Sequence, residues 1–506
     1  MFLSFFRKNK KQPLPWYKTS VVYQIYPSSF QDSNGDGVGD IRGIINRLPY
    51  LQDGTENSLG IGAVWLCPIY TSPMKDFGYD IADFYNIDSR FGTLKDFDEL
   101  VLGLHKRNIK IIMDLVINHT SSKHPWFKES RSSKTNWKRD WYIWRDPKPD
   151  GSPPNNWVSV FGGPAWTLDP ETNQYYLHQF LPDQPDLNWR NEYVIYEMQN
   201  ILQFWLERGV DGFRVDAFGH LLEDGLFRDD VVIKDQKNNI DDYASYMHNY
   251  STNRPELTRV IDVLTSTAKQ KPDTFIVFET YLDLHQLVNM YNLHESKQYA
   301  PFNFNFISMP WNAVEYRKFV DDFDKLLQNH TPTYVFGNHD RPRLISRLDE
   351  KRARVCAMLL LTLRGMPFIY YGEEIGMEDV TIEKKDIRDG FALTSLLPGV
   401  SRDPARTPMQ WNTEKNAGFS TYTPWLPVAS NYEEMNIEVE EKNPQSMLSL
   451  YKSLIHYRNN SRILQEGSYQ SIETGSPDIF GYIRTLRGEK KRILVLLNFK
   501  DGEIKI

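Results

Sequence analysis

Cysteine is almost missing: the 506-residue chain has two, Cys67 and Cys356, each inside an apolar segment, so both read as buried free thiols and no disulfide framework is expected. No uninterrupted apolar run is long enough to cross a bilayer. Met1 to Phe6 is apolar but short, and the basic run Arg7 to Lys11 follows it, the reverse of the order in a secretory leader. Residues 1–15 therefore read as a disordered tail, with an interfacial anchor as the alternative, and the expected compartment is the cytoplasm. Positive charge is not in excess either. Lys and Arg number 59 against 66 Asp and Glu, a formal charge of −7, which argues against nucleic acid as a partner. Internal repeats and low-complexity tracts are absent.

Aromatic residues, by contrast, are plentiful at 14%, with 13 tryptophans, which suits flat polar ligands and a large core equally well. Length alone allows about three domains, or one large barrel with attachments. Strand-like runs alternate with helical ones, reading as an α/β chain of βα units. The runs 21–25, 63–66, 109–115 and 212–216 are the first four strands, and 274–278, 302–306, 333–336 and 368–371 complete eight. Segments such as 94–107, 193–208 and 352–363, apolar at three- and four-residue spacing, are the helices between them. Eight such units predict a closed (β/α)8 TIM barrel. A doubly wound open sheet is the alternative, but charged and histidine residues at the strand ends favour the barrel's functional face.

One connection is too long for a plain loop. Residues 118–184, rich in Trp, Pro, Asn and Ser, read as an inserted domain after strand three, flanked by barrel segments 16–117 and 185–461. A second excursion, residues 373–443, follows strand eight, and a helix over 444–458 closes the barrel. Residues 462–506 alternate as short strands of a C-terminal antiparallel β-domain, short or truncated.

The chemistry gathers at strand ends. In the segment 212–217 (GFRVDA), Arg214 and Asp216 lie two apart and point the same way from a strand, so the arginine holds the aspartate ionised and in one rotamer. A buried structural ion pair fits this spacing equally well. Three further apolar runs end in polar groups: Asp114 to Thr120 (DLVINHT), Phe278-Glu279-Thr280, and Gly337 to Asp340 (GNHD). In this order and at these spacings the four segments resemble the signature segments of the α-amylase family, glycoside hydrolase family 13.

The resemblance implies Asp216 as nucleophile, Glu279 as acid/base and Asp340 as a third carboxylate that grips the sugar as its ring flattens. Retaining hydrolysis needs two carboxylates about 5 to 5.5 Å apart, which neighbouring strands four and five can supply. Arg214 keeps Asp216 anionic, while the apolar run before Glu279 favours a held proton. His119 and His339 then donate to sugar hydroxyls, although a lone histidine is more often a packing residue. Tyr79 and Asp80 match the motif whose tyrosine stacks under the glucose and whose aspartate binds its far hydroxyls. Arg343 matches the arginine expected to pair with Asp80 and block the pocket behind the terminal sugar. Phe161 and Phe180 of the inserted domain are expected pocket walls, and Ala217 faces the acceptor-side sugar. Residues 184–188 (QPDLN) resemble the segment of the oligo-1,6-glucosidase and α-glucosidase branch.

Residues 32–40 (DSNGDGVGD) alternate oxygen ligands with glycines, starting like an EF-hand loop but carrying Gly43 where the bidentate glutamate belongs. A glycine-rich turn without metal fits too. By resemblance the loop holds one structural calcium through Asp32, Asn34, Asp36, the Val38 carbonyl and Asp40. The implied activity is that of a retaining, exo-acting α-glucosidase on short oligosaccharides. A transglycosylase or sucrose-converting enzyme using the same residues is the alternative, and a non-catalytic relative a remote one, since the carboxylates and Arg214 are all present. No membrane partner is expected, and the oligomeric state is left open.

Overall fold

In the computed structural model, which describes residues 14–233, 242–327, 330–395 and 400–505, eight strands form one parallel sheet. They are β1 (Val22–Ile25), β2 (Ala63–Leu66), β3 (Lys110–Leu115), β4 (Gly212–Val215), β5 (Phe275–Phe278), β6 (Tyr299–Pro301), β7 (Thr333–Val335) and β8 (Met366–Tyr370). Every strand residue except Lys110 is buried, because helices cover the outer face and side chains fill the inner one. The backbone ladder runs β6-β5-β4-β3-β2-β1-β8-β7. A side chain stitches the seam between β6 and β7: the Thr333 hydroxyl donates to the Pro301 carbonyl at 2.8 Å and accepts from Asn303 N at 3.1 Å. The result is a (β/α)8 barrel. Gly212 is required at the start of β4, since a Cβ there would sit 2.5 Å from the Phe275 carbonyl oxygen.

The outer helices are α1 (Ile41–Leu51), α2 (Leu94–Lys106), α3 (Glu192–Glu207), α4 (Leu257–Ala268), α5 (Leu284–Tyr291), α6 (Ala313–Leu327), α7 (Glu350–Thr362) and α8 (Met447–Asn459). Their starts follow local chemistry. Thr93 and Asp96 form a reciprocal capping box at α2, and the Asn191 side chain caps α3.

Strand six is not where the aromatic alternation of residues 302–306 put it. The ladder with β5 pairs Ile276 to Phe278 with Tyr299 to Pro301, and a short helix, Asn305–Ser308, follows. Phe302 instead fills the barrel, against Trp65 at 5.3 Å and Phe368 at 4.7 Å between ring centroids. A core-filling aromatic run therefore mimicked a strand, while the true strand ends on a proline, a residue that strands seldom carry.

Between β3 and α3 lies the inserted unit: a helix, Pro125–Ser132, and an antiparallel sheet with Gln174–Leu177 between Trp144–Arg145 and Trp166–Asp169. Its own small core is Ile143, Trp157, Ala165, Trp166 and Leu177. After α8, strands β9 (Ser468–Ile472), β10 (Ile479–Thr485) and β11 (Arg492–Asn498) form an antiparallel sheet. It docks on the barrel through Trp311 stacked on Phe499 at 4.2 Å, and through buried Arg484, which donates to the Thr362 carbonyl at the end of α7. Residues 1–13 of the expected tail lie outside the described residues. Among the described residues no helix is long and apolar enough to cross a membrane.

Candidate active site

The expected carboxylates meet at the carboxyl ends of β4, β5 and β7. Asp216 and Glu279 each stand one residue beyond their strands, whose ends Val215 and Phe278 are register partners, and Glu279 N donates to the Val215 carbonyl at 2.9 Å. Arg214 joins them. Its Nη1 lies 2.5 Å from Asp216 Oδ1 and 2.6 Å from Asp114 Oδ1, and its Nη2 lies 2.8 Å from Glu279 Oε2. One buried cation thus serves three carboxylates. Burial raises Asp216 to about 7 against the pull of Arg214, and burial likewise raises Glu279 to about 7, opposed by Arg214 and reinforced by Asp216 and Asp340. Near neutral pH the Asp216 and Glu279 pair therefore retains a proton, which belongs to the pair rather than to either residue.

Asp340 differs. Burial works to raise it, but the Arg406, Arg402 and Arg214 guanidiniums outweigh that and hold its carboxyl below the ordinary range. Arg406 Nη2 donates to Asp340 Oδ1 at 2.9 Å.

Beneath the carboxylates a chain of hydrogen bonds fixes the aromatic floor. Tyr79 stacks parallel on His339, with centroids 5.4 Å apart, and its hydroxyl lies 2.7 Å from His339 Nε2 and 3.2 Å from Asp114 Oδ2. The Gln24 side-chain amide donates to His339 Nδ1 at 2.8 Å, so the neutral ring carries its proton on Nε2. His119 follows the same logic: Asn118 donates to Nδ1, and Nε2 donates to the Tyr79 carbonyl at 2.9 Å. Burial lowers His119 to about 4 and His339 well below its usual value, so both are neutral at physiological pH. Phe180 lies 5.3 Å from the His119 ring and 5.6 Å from Phe161, whose face meets the Arg402 guanidinium at 5.2 Å. The two phenylalanines of the inserted domain are thus brought to the cluster.

The expected pairing of Asp80 with Arg343 does not occur. Asp80 is fully buried and accepts from Ser72 Oγ, Lys75 N and Asp76 N, holding its own loop together. Arg343 immediately precedes the short helix Leu344–Leu348, and its side chain turns behind β8, where it donates to the Tyr371 carbonyl and lies over the Tyr370 and Tyr371 rings. The acid and base that do meet are Asp76 and Arg402, at 2.5 Å, with Arg402 Nη1 also 3.4 Å from Asp340 Oδ1.

Residues 24–467 match the alpha amylase catalytic domain. The chain belongs to the alpha-amylase family. It is 39% identical to an oligo-1,6-glucosidase of Heyndrickxia coagulans over 97% of this chain and 93% of that one. It is 40% identical to an alpha-glucosidase of Culex pipiens, over 96% of this chain and 82% of the other. Among solved structures, an alpha-glucosyl transfer enzyme superposes with a TM-score of 0.90 at 35% identity, covering 96% of this chain and 92% of its own.

For an alpha-amylase family barrel, the residues that sequence reasoning passed over are Asp76, Asp389, Arg402 and Arg406. Arg402 and Arg406 stand in the excursion after β8 (RDPARTPMQW), whose charge pattern was the available signal. Nothing local linked Arg402 to Asp76, 326 positions away.

The loop after β1 folds onto its own N–H groups. Asp32 Oδ1 accepts from Asn34 N and Gly35 N, and Asp32 Oδ2 accepts from Gly37 N and from Ser420 Oγ at 2.6 Å. Asp36 accepts from Val38 N, and Asp40 from Ser33 and from Gly43 N at the start of α1. Among the described residues no three Asp, Glu, His or Cys side chains converge as a cation site.

Proposed function

We propose that the protein is a retaining, exo-acting α-glucosidase that releases glucose from the non-reducing end of short α-glucosides. The observation that carries this reading is Arg214 bridging Asp216 and Glu279 at the ends of adjacent strands, in front of a wall made by Asp76 and Arg402. Asp216 attacks the anomeric carbon while protonated Glu279 gives its proton to the leaving glycosidic oxygen, forming a covalent glucosyl-enzyme. Glu279, now a carboxylate, deprotonates the water that breaks this ester, and two inversions give net retention. Asp340, kept anionic by its arginines, supports the cationic sugar ring of the transition state. His119, His339 and Tyr79 line the pocket for the same sugar, and Ala217 meets the departing one. The oligo-1,6-glucosidase and alpha-glucosidase relatives support this reading.

The buried Asp76 and Arg402 pair leaves no room for a sugar beyond the terminal one. Maltose and maltotriose should therefore be hydrolysed much faster than soluble starch, with α-glucose as the first product by NMR. Internal cleavage of starch, with a rapid fall in viscosity and little free glucose, would overturn the exo reading. Transglycosylation is the second reading, favoured by the likeness to an alpha-glucosyl transfer enzyme, and it uses the same glucosyl-enzyme with a sugar in place of water.

We propose as well that the loop of residues 32–40 takes up calcium in a structural role. Its donors are oxygen only, which suits a hard cation. Asp32, Asn34, Asp36, the Val38 carbonyl and Asp40 would hold the ion, stabilising the junction with residues 418–420, where Asp32 N already bonds to the Phe419 carbonyl.

A further inference from the structure

Arg402 ends on a flexible stem, yet it sits between three carboxylates in one orientation. What fixes that orientation is a third acid, Asp389. Asp389 Oδ2 accepts the Arg402 backbone N–H at 2.7 Å, and Oδ1 takes the side edge of the guanidinium, 2.6 Å from Nη2 and 3.2 Å from Nε. With that edge occupied, Nη2 reaches Asp76 Oδ1 and Nη1 is left facing Asp340. A bidentate carboxylate restricts a guanidinium in plane and in register, which a single ion pair does not.

Asp389 is itself immobilised. It is fully buried, its N–H donates to Asp403 Oδ2 at 3.0 Å, and its side chain caps the short helix Gly390–Thr394 at Phe391 N. The helix start lies flush on the loop that carries Asp76: a Cβ on Gly390 would stand 2.2 Å from the Lys75 carbonyl oxygen. Phe391, two residues on, stacks on Phe161 of the inserted domain at 4.6 Å. Three separate pieces of chain, the loop after β2, the inserted domain and the excursion after β8, are therefore locked together around Arg402. With Asp389 present, the Asp76, Arg402 and Asp389 group carries one net negative charge, so the wall still presents acceptors to a sugar hydroxyl.

We propose that Asp389 is a positioning residue for terminal-sugar recognition, fixing the Arg402 guanidinium in the orientation that pairs with Asp76 and shuts the pocket behind that sugar. This rests on the exo-acting reading above.

The test uses the full-length protein and its Asp389→Asn and Asp389→Glu variants, with p-nitrophenyl α-glucoside, its 4-deoxy analogue and soluble starch. Wild type should disfavour the 4-deoxy analogue by about 100-fold or more in kcat/KM, and Asp389→Asn should shrink that to less than about tenfold, because hydroxyl recognition depends on correctly placed partners. KM for the intact glucoside should rise while kcat changes less, and internal cleavage of starch should appear. Asp389→Glu, which keeps the charge but displaces it, is read the same way should the amide variant fail to fold. A folded variant that keeps wild-type discrimination, or that loses kcat alone, overturns the positioning role while leaving the exo reading intact. Wild type that cuts starch internally overturns both.

Discussion

The backbone N–H of Ala217 donates to Glu279 Oε2 at 2.9 Å, so the residue directly after the proposed nucleophile also holds the proposed acid/base. Ala217 reaches it by adopting a left-handed conformation, φ +47°, an unusual state for a non-glycine residue. The two carboxyls are thus coupled twice, through this bond and through Arg214, and changes at either one should register at the other.

Asp216→Asn should abolish turnover while leaving folding and substrate binding nearly intact, since it removes the nucleophile's charge and little else. Loss of a covalent step costs orders of magnitude in rate, whereas the amide is nearly isosteric. Single-turnover assays and a thermal melt check this together. Retention of half the activity would sink the assignment.

The pH dependence follows from the same cluster. Turnover needs Asp216 ionised and Glu279 protonated, so kcat/KM should fall on both sides of an optimum, with the alkaline limb set by loss of the shared proton near 7. Stability carries the opposite mark from an ordinary carboxylate. Both folded values are raised, so the folded state keeps protons that the unfolded chain has released. Their contribution is full below the usual carboxylate range and is lost as pH rises through about 7. Glu279→Gln should therefore melt higher than wild type at pH 8, with the gain vanishing by pH 4. A gain that is the same at both values would show that Glu279 is not raised.

Much of this was legible before any coordinates. Strands buried on both faces leave continuous apolar runs, and Arg214 and Asp216 are close enough in sequence for their side chains to be placed on one side of a strand. What failed was long-range or directional. The Phe302 to Phe306 run looks like a strand because barrel filling and strand burial use the same residues. Arg343 is near Asp340 in sequence, but its side chain turns behind β8, where the Tyr371 carbonyl holds it out of the pocket. Asp76 and Arg402 meet only because two loops from opposite ends of the chain rise from the same barrel face.

Calcium removal gives a test independent of catalysis. A chelator should lower the melting temperature without changing activity at low temperature, because an ion bound only to the native state stabilises it by an amount that grows with the logarithm of its concentration. Asp36→Ala should reproduce the effect and abolish the response to added calcium. An unchanged melt, with no calcium by elemental analysis, would remove the site and leave a turn held by its own hydrogen bonds.

If Ala217 faces the acceptor-side sugar as the resemblance implies, the choice of bond should respond to a substitution there. In the family, valine at this position goes with α-1,6 activity and threonine with α-1,4, and alanine is neither. A small side chain leaves the acceptor-side wall open, which favours α-1,4 disaccharides and trisaccharides modestly. Ala217→Val adds two methyl groups beside the departing sugar, a change worth about 1 to 3 kcal/mol in such a wall, enough to move preference by roughly tenfold but not to exclude either bond. It also places a β-branched residue, with its more restricted side chain, in the left-handed region that Ala217 already occupies, and should lower the melting temperature slightly. The bond to Glu279 comes from the backbone and survives the substitution, so hydrolysis of an aryl glucoside should persist. The expected outcome is a rise in the isomaltose-to-maltose ratio of kcat/KM with a small loss of stability. If the ratio stays fixed while the melting temperature falls, the side chain of residue 217 does not face the acceptor, and bond preference must be set by the loops after β5 and β7.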